Sequence, residues 1–301
     1  MAGYISRPMK ARYTLLAWTA AAATYLLIVL GAVVRITGSG MGCGDHWPLC
    51  NGHLLPPLHD IGTVIEWSHR LVAALVSILV VGLAGYAWWL RRIPGLAPGV
   101  SRAPLIALGL LVPQVLLGAI AVKTGLTPAI VVLHLAMAML LLATLLVTAR
   151  DAVGAQHAAP LQLPLLVLAF VTVLFGALTA NLGAAAACTG FPLCNGQVWP
   201  SAGGLAAVHW IHRLLAYSLA ASVLIVAVKS KRRGMWAVVA LVLLQVTVGA
   251  ATVLLGLPPA LQAAHVAVGA AVWASLVLLP VQTSDLRGSG PAPSPSSHRP
   301  K

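Results

Sequence analysis

The chain has 301 residues, 60% of them hydrophobic and only 8% charged, with a formal net charge of +13. That composition excludes a soluble globular domain, and apolar runs long enough to cross a bilayer recur along most of the chain. The expected class is an all-α integral membrane protein. In chain order, eight transmembrane helices fall near 14–36, 63–90, 103–122, 129–149, 162–182, 205–228, 235–255 and 261–282. Residues 1–13 read as a cytoplasmic N-terminal segment, and 283–301, rich in Pro, Ser and Gly, as a disordered cytoplasmic tail.

The positive charge is a topology signal, and no nucleic-acid partner follows from it. Arg7, Lys10 and Arg12 precede the first span, and Arg91, Arg92 and Arg102 lie between the second and third. Arg150 follows the fourth, and Lys229, Lys231, Arg232 and Arg233 follow the sixth. Arg287, Arg299 and Lys301 end the chain, so all of these fall on one side, which the positive-inside bias makes cytoplasmic. The first apolar run is a full span without a small-residue cleavage site, and a bacterial plasma membrane is the simplest location. Arg35, Arg70, Lys123 and Arg213 break the pattern at the outer surface. Snorkelling to headgroups accounts for Lys123. For Arg35, Arg70 and Arg213, contact with an anionic ligand group is the competing explanation.

The eight spans are two copies of a four-helix unit, expected as tandem pseudo-symmetric bundles over 14–150 and 151–282. His69 in EWSHRLVAALVS matches His212 in HWIHRLLAYSLA, and His134 matches His265 after the paired GAIAVKTGLTP and GAATVLLGLPP runs. A side chain that is expensive inside a bilayer is thus placed twice in matching pairs.

Each outer loop carries a cysteine pair, Cys43 with Cys50 and Cys188 with Cys194, running into Leu-Cys-Asn-Gly. Outside the cytoplasm such pairs favour disulfides. Zinc is an alternative in the first loop, where His46, His53 and His59 are near, and redox-active thiols are another.

Depth links the histidines. At 1.5 Å rise per residue, all four imidazoles sit about 10 Å below the outer helix ends. Two per half at one level can face each other across a bundle, as bis-imidazole ligation of a haem iron requires, with propionates towards Arg70 and Arg213. A single buried histidine is adequately explained by a bond to a neighbouring carbonyl; four at matched depth are not. The halves differ three residues before the first histidine, where Glu66, the only glutamate, stands opposite His209. Residues i and i+3 share a helix face, so Glu66 points towards whatever His69 binds, and pairing with Arg70 is the plainer alternative. The first half reads as reactive and the second as a fixed cofactor site.

The run GAVVRITGSGMGCG…WPLCNG (31–52), EWSHR, PQVLLGA…TG, His134, and the second-half PLCNG, HRL and QVTVGA…LG echoes resemble the haem A synthase family over about residues 14–282. The resemblance implies oxidation of the C8 methyl of haem O to the formyl of haem A through hydroxylated intermediates, for cytochrome oxidase cofactor biosynthesis. It further implies a substrate haem at His69 and His134, haem B at His212 and His265, a catalytic Glu66, and disulfides Cys43–Cys50 and Cys188–Cys194. Its expected partners are haem O synthase, cytochrome oxidase assembly factors and an external electron partner. Two other classes compete: a dihaem b-type electron-transfer protein, and a repeat-built transporter.

Overall fold

Eight long helices form the structure, a computed structural model that describes residues 2–57, 59–93, 100–153, 163–200 and 203–279. They are α1 (Ala2–Ile36), α2 (Ile61–Leu90), α3 (Ala103–Lys123), α4 (Pro128–Ala152), α5 (Leu163–Asn181), α6 (Gly204–Ser230), α7 (Arg233–Leu254) and α8 (Pro259–Leu278). All eight are long and apolar enough to cross a membrane, and no strand occurs among the described residues. The expected spans are found within a few residues, with one difference: α1 reaches back to Ala2. Lys10, Ala11 and Arg12 are good helix formers, so the helix outlasts its apolar stretch. The tail 283–301 lies outside the described residues.

Local chemistry sets the helix ends that matter. Asp60 caps α2, its Oδ2 accepting from the Thr63 N–H at 2.7 Å and from the Thr63 hydroxyl at 2.8 Å. The Thr63 N–H holds the Asp60 carboxyl below its usual range. α3 and α7 end in the same turn: Gly125 and Gly256 are left-handed, and the N–H groups of Leu126 and Leu257 reach back to Ala121 and Thr252 at 2.7 Å. This is a Schellman ending, and the proline that follows each turn starts α4 or α8 at a fixed height.

Helices pack as hairpin pairs, α1 on α2, α3 on α4, α5 on α6 and α7 on α8, with α1 also on α4 and α5 on α8. α4 meets both α5 and α8, and α1 meets α8. One apolar cluster threads all eight, through Ala17 and Ala20 of α1, Leu83 of α2, Ala107 of α3, Leu145 of α4, Ala169 of α5, Val223 of α6, Val238 of α7 and Val277 of α8. The small residues on α1 allow close backbone approach, which is how helices associate where lipid offers no hydrophobic drive. Two polar bonds stitch the first four helices to the last four. Trp273 Nε1 donates to the Met139 carbonyl at 3.0 Å, and the Tyr25 hydroxyl donates to the Ala267 carbonyl at 2.9 Å.

The α1–α2 and α5–α6 connections each hold a disulfide ring, Cys43–Cys50 and Cys188–Cys194. The two loops share a short 3-10 turn, a left-handed Asn51 or Asn195, and an isolated bridge from the second cysteine to His53 or Gln197. The first loop rests on the α3–α4 turn, since a Cβ on Gly40 would lie 2.7 Å from Leu126.

A candidate bis-histidine site in each half

Every site histidine lies against a glycine of the preceding helix. A Cβ built on Gly31 would stand 3.3 Å from Cε1 of His69, and one on Gly118 would stand 3.1 Å from Cε1 of His134. The corresponding distances are 2.9 Å from Gly176 to His212 and 2.8 Å from Gly249 to His265. In each hairpin, therefore, the imidazole occupies the space that any side chain larger than hydrogen would take.

Their polar surroundings are sparse. His212 Nδ1 bonds to the Thr172 carbonyl at 3.1 Å, which fixes the proton on Nδ1 and leaves the Nε2 lone pair available. Gln114 Nε2 lies 3.3 Å from His134 Nε2, and Gln245 Nε2 lies 3.2 Å from His265 Nε2. Nδ1 of His69, His134 and His265 is buried without a partner. A buried orphan nitrogen is costly, and three of them in two repeats ask for an additional group. The ring centroids of His212 and His265 are 6.4 Å apart, a spacing at which two imidazole nitrogens can share one metal through bonds of about 2 Å each. A neutral nitrogen donor pair with orphaned atoms and glycine clearance fits a bis-imidazole haem.

Above the histidines, each half is closed by an arginine that binds its disulfide loop. Arg70 Nη1 donates to the His46 and Leu49 carbonyls, both at 2.6 Å, while Nε and Nη2 hold Glu66 Oε1 at 3.1 and 2.5 Å. Arg213 Nη1 donates to the Gly190 and Leu193 carbonyls at 2.6 and 2.9 Å, Nη2 to the Cys188 carbonyl at 3.0 Å, and Nε to His209 Nε2 at 3.2 Å. A guanidinium has five N–H donors, so each of these arginines has four engaged and one left for a ligand. The carbonyls are presented by the closed ring, a convergence that the sequence does not display.

Glu66 is 3% exposed, and its Oε2 accepts from the Cys43 N–H at 2.7 Å. In the second half His209, 5% exposed, bonds through Nδ1 to the Ala184 carbonyl at 3.1 Å. The two residues do one mechanical task with opposite polarity: an acceptor takes a loop N–H in one half, and a donor takes a loop carbonyl in the other. The charge differs too. Glu66 neutralises Arg70, whereas neutral His209 leaves Arg213 uncompensated.

Arg35 has no side-chain partner among the described residues. It is one turn beyond Gly31 on the same face of α1, about 6 Å further along the axis. Aligning the repeats through Gly31 and Gly176 puts Ala180 opposite it. Each half thus has one unneutralised cation near its histidines, Arg35 in the first and Arg213 in the second. Lys123 approaches Asp45 at 3.9 Å.

The cysteines being bonded, they offer no thiolates to zinc, and no group of three or more His, Cys, Asp or Glu among the described residues could hold a metal ion. The sequence reading quoted Gln114, Gln245, Gly31, Gly118 and Gly249 within its repeated runs without giving them a role, and did not single out Gly176. The offsets repeat in one hairpin of each half: Gln114 and Gln245 lie twenty residues, and Gly118 and Gly249 sixteen, before His134 and His265.

The family model of COX15-CtaA cytochrome oxidase assembly proteins matches residues 14–63 and 59–277. Among curated proteins the chain is 37% identical to the haem A synthase of Alkalihalophilus pseudofirmus over 218 residues, 67% of this chain and 72% of that protein. It is 36% identical to the haem A synthase of Shouchella clausii over 58% of this chain and 61% of the relative. It is 31% identical to that of an Exiguobacterium species over 77% and 80% respectively.

Enlarging Gly249 should displace His265, because the added Cβ would be 2.8 Å from the ring against a helix backbone that cannot retreat. Gly249→Val is expected to abolish the bis-histidine absorption of the second half in purified protein. Gly82→Val, at a position with nothing within 4 Å, should leave it intact. Equal spectra in the two variants would remove the glycine clearance from the account.

Proposed function

The chain belongs to the COX15-CtaA family of cytochrome oxidase assembly proteins, and from that premise we propose that it is a haem A synthase, oxidising the C8 methyl of haem O to a formyl group. The observation that carries this is a repeated bis-histidine site in which only one copy has a buried carboxylate beside it. His69 and His134 would hold the substrate haem, and His212 and His265 a resident haem B that supplies one-electron redox chemistry. A dihaem electron carrier would use the same four histidines but has no need for Glu66 or Arg35 in one half alone.

The residues of the chain divide the work. Glu66 is fixed by Arg70 and by the Cys43 N–H, so its charge is oriented before substrate arrives and needs no reorganisation. Oxidising a methyl conjugated to a porphyrin develops positive charge and releases protons, and a carboxylate at this place stabilises the first and accepts the second. Arg35 gives the substrate propionates a free guanidinium one turn above the ligand level. Arg213, held by four bonds, supplies the matching positive field over haem B through its charge and its one remaining N–H. The disulfide loops are fastened to Arg70 and Arg213, the residues next to His69 and His212.

The basic residues between spans and at the chain ends support a bacterial plasma membrane location with both termini cytoplasmic and the cysteine loops extracytoplasmic. In this arrangement residues 14–150 form the substrate half and 151–282 the haem B half. Haem O enters from the lipid phase as the product of a haem O synthase. Each methyl-to-formyl conversion takes up one oxygen atom at the level of water and gives up four electrons and four protons; a haem B held by His212 and His265 would supply a one-electron path to an external partner, and haem A would pass to cytochrome oxidase assembly factors.

Glu66→Gln keeps size and hydrogen-bonding capacity but removes the charge. It is expected to retain haem B and haem O and to make haem A at least roughly 10²-fold more slowly, with a hydroxylated intermediate accumulating. Chromatography of extracted pigments checks this, and normal haem A yield would reduce Glu66 to an ion-pair partner of Arg70.

Arg35→Leu is expected to raise KM for haem O about tenfold or more with little change in kcat, since it removes a binding contact remote from the reacting methyl. Haem B content should be unchanged. An unaltered KM would move the propionate contact elsewhere.

A further inference from the structure

Gln114 and Gln245 are polar side chains placed in the membrane-spanning part of α3 and α7, and each touches the second histidine of its half. The same contact occurs in both repeats, at 3.3 and 3.2 Å. Each touching pair also leaves the same two atoms buried without a partner: the glutamine Oε1 and the histidine Nδ1. A glutamine that merely tied two helices together would not be expected to leave its better acceptor unpaired in both copies.

The orphans are complementary. The amide nitrogen is a donor only, so the imidazole Nε2 it touches is the acceptor, and the ring proton is on Nδ1. Nδ1–H is therefore an unmatched donor and Oε1 an unmatched acceptor, within one pair of side chains. An imidazole that gives its Nε2 lone pair to a metal retains one N–H, which needs an acceptor to fix the ring and set its basicity. The glutamine can serve in both conditions because it carries a donor and an acceptor on a side chain with three rotatable bonds, which lets it give up Nε2 and meet Nδ1 in another rotamer. In α8 the seat for it is shaped by Gly269, one turn after His265, where a Cβ would come 3.0 Å from Gln245 Nε2.

We infer that Gln114 and Gln245 are positioning residues for His134 and His265, each side chain leaving Nε2 when that atom becomes a ligand and re-seating its Oε1 against the Nδ1–H. This rests on the histidine ligand set proposed above. It makes the two ligands of one haem unlike: His212 has a helix backbone carbonyl as its partner, and His265 a side-chain amide.

The test uses the full-length protein with its bound haem and measures the reduction potential, the low-spin spectrum and the haem content of the second half. Gln245→Glu replaces a neutral acceptor by an anionic one and makes the imidazole a stronger donor. It is expected to shift the reduction equilibrium at least tenfold towards ferric haem, 59 mV for one electron. Gln245→Leu removes the acceptor and is expected to shift it the other way and to speed haem loss. Gln114→Leu should weaken haem O binding while leaving the second-half potential unchanged. Potentials within twofold of the parent equilibrium in the Glu and Leu variants, with full haem content and unaltered spectra, would overturn the inference. If the Leu variant fails to accumulate, the near-isosteric Glu variant decides alone. Wild-type protein without a bis-histidine haem would overturn the ligand set instead.

Discussion

A polar ring buried in an apolar helix bundle must find partners or a ligand, and that constraint organises this molecule. Four imidazoles are set at one level, each pressed on a glycine of the preceding helix, and three of them keep a buried nitrogen unpaired. Nothing in folding alone explains such an arrangement, because a core without those histidines would avoid the desolvation entirely. The arrangement makes sense when the nitrogens complete a metal coordination sphere. Helix ends then matter as much as helix faces: the Schellman turns after α3 and α7, with the prolines that follow, bring His134 and His265 to the same height.

The disulfide loops are part of the same construction. In each half an arginine one residue after the histidine reaches up to converging loop carbonyls, so the residue next to the ligand also fastens the lid. The partner of that arginine differs between halves, and with it the local charge. Glu66 stores a negative charge in the first half, and its loop bond to Cys43 ties the lid to the carboxylate. Arg35 restores the missing positive charge in the first half from another helix. The duplication has therefore kept one excess cation per site while freeing one copy to hold an acid.

Much of this was legible in the sequence. Span boundaries followed from the apolar runs, and α2 and α4 were placed within three residues at each end. The histidines and cysteines were found by comparing the repeats. The partners of Arg70 and Arg213 were not, since carbonyls converge only after the ring closes and a backbone leaves no mark in residue identity. Gln114 and Gln245 stood in the repeated PQVLLGA and QVTVGA runs but received no role, because an isolated glutamine in an apolar helix has no periodicity of its own; its meaning lies in a fixed offset to a histidine on another helix. Arg35 was singled out by its exposure to the wrong side, and the absence of a carboxylate near it became clear only when Glu66 was seen bonded to Arg70.

The central claim is that the two histidine pairs hold different haems, one turned over and one resident. Pigment extraction from the purified wild-type protein, followed by chromatography, tests it most directly. The account predicts haem B together with haem O, haem A or a hydroxylated haem between them, and loss of only the latter group when haem O supply is withheld. Haem B as the sole pigment under full haem O supply would contradict it.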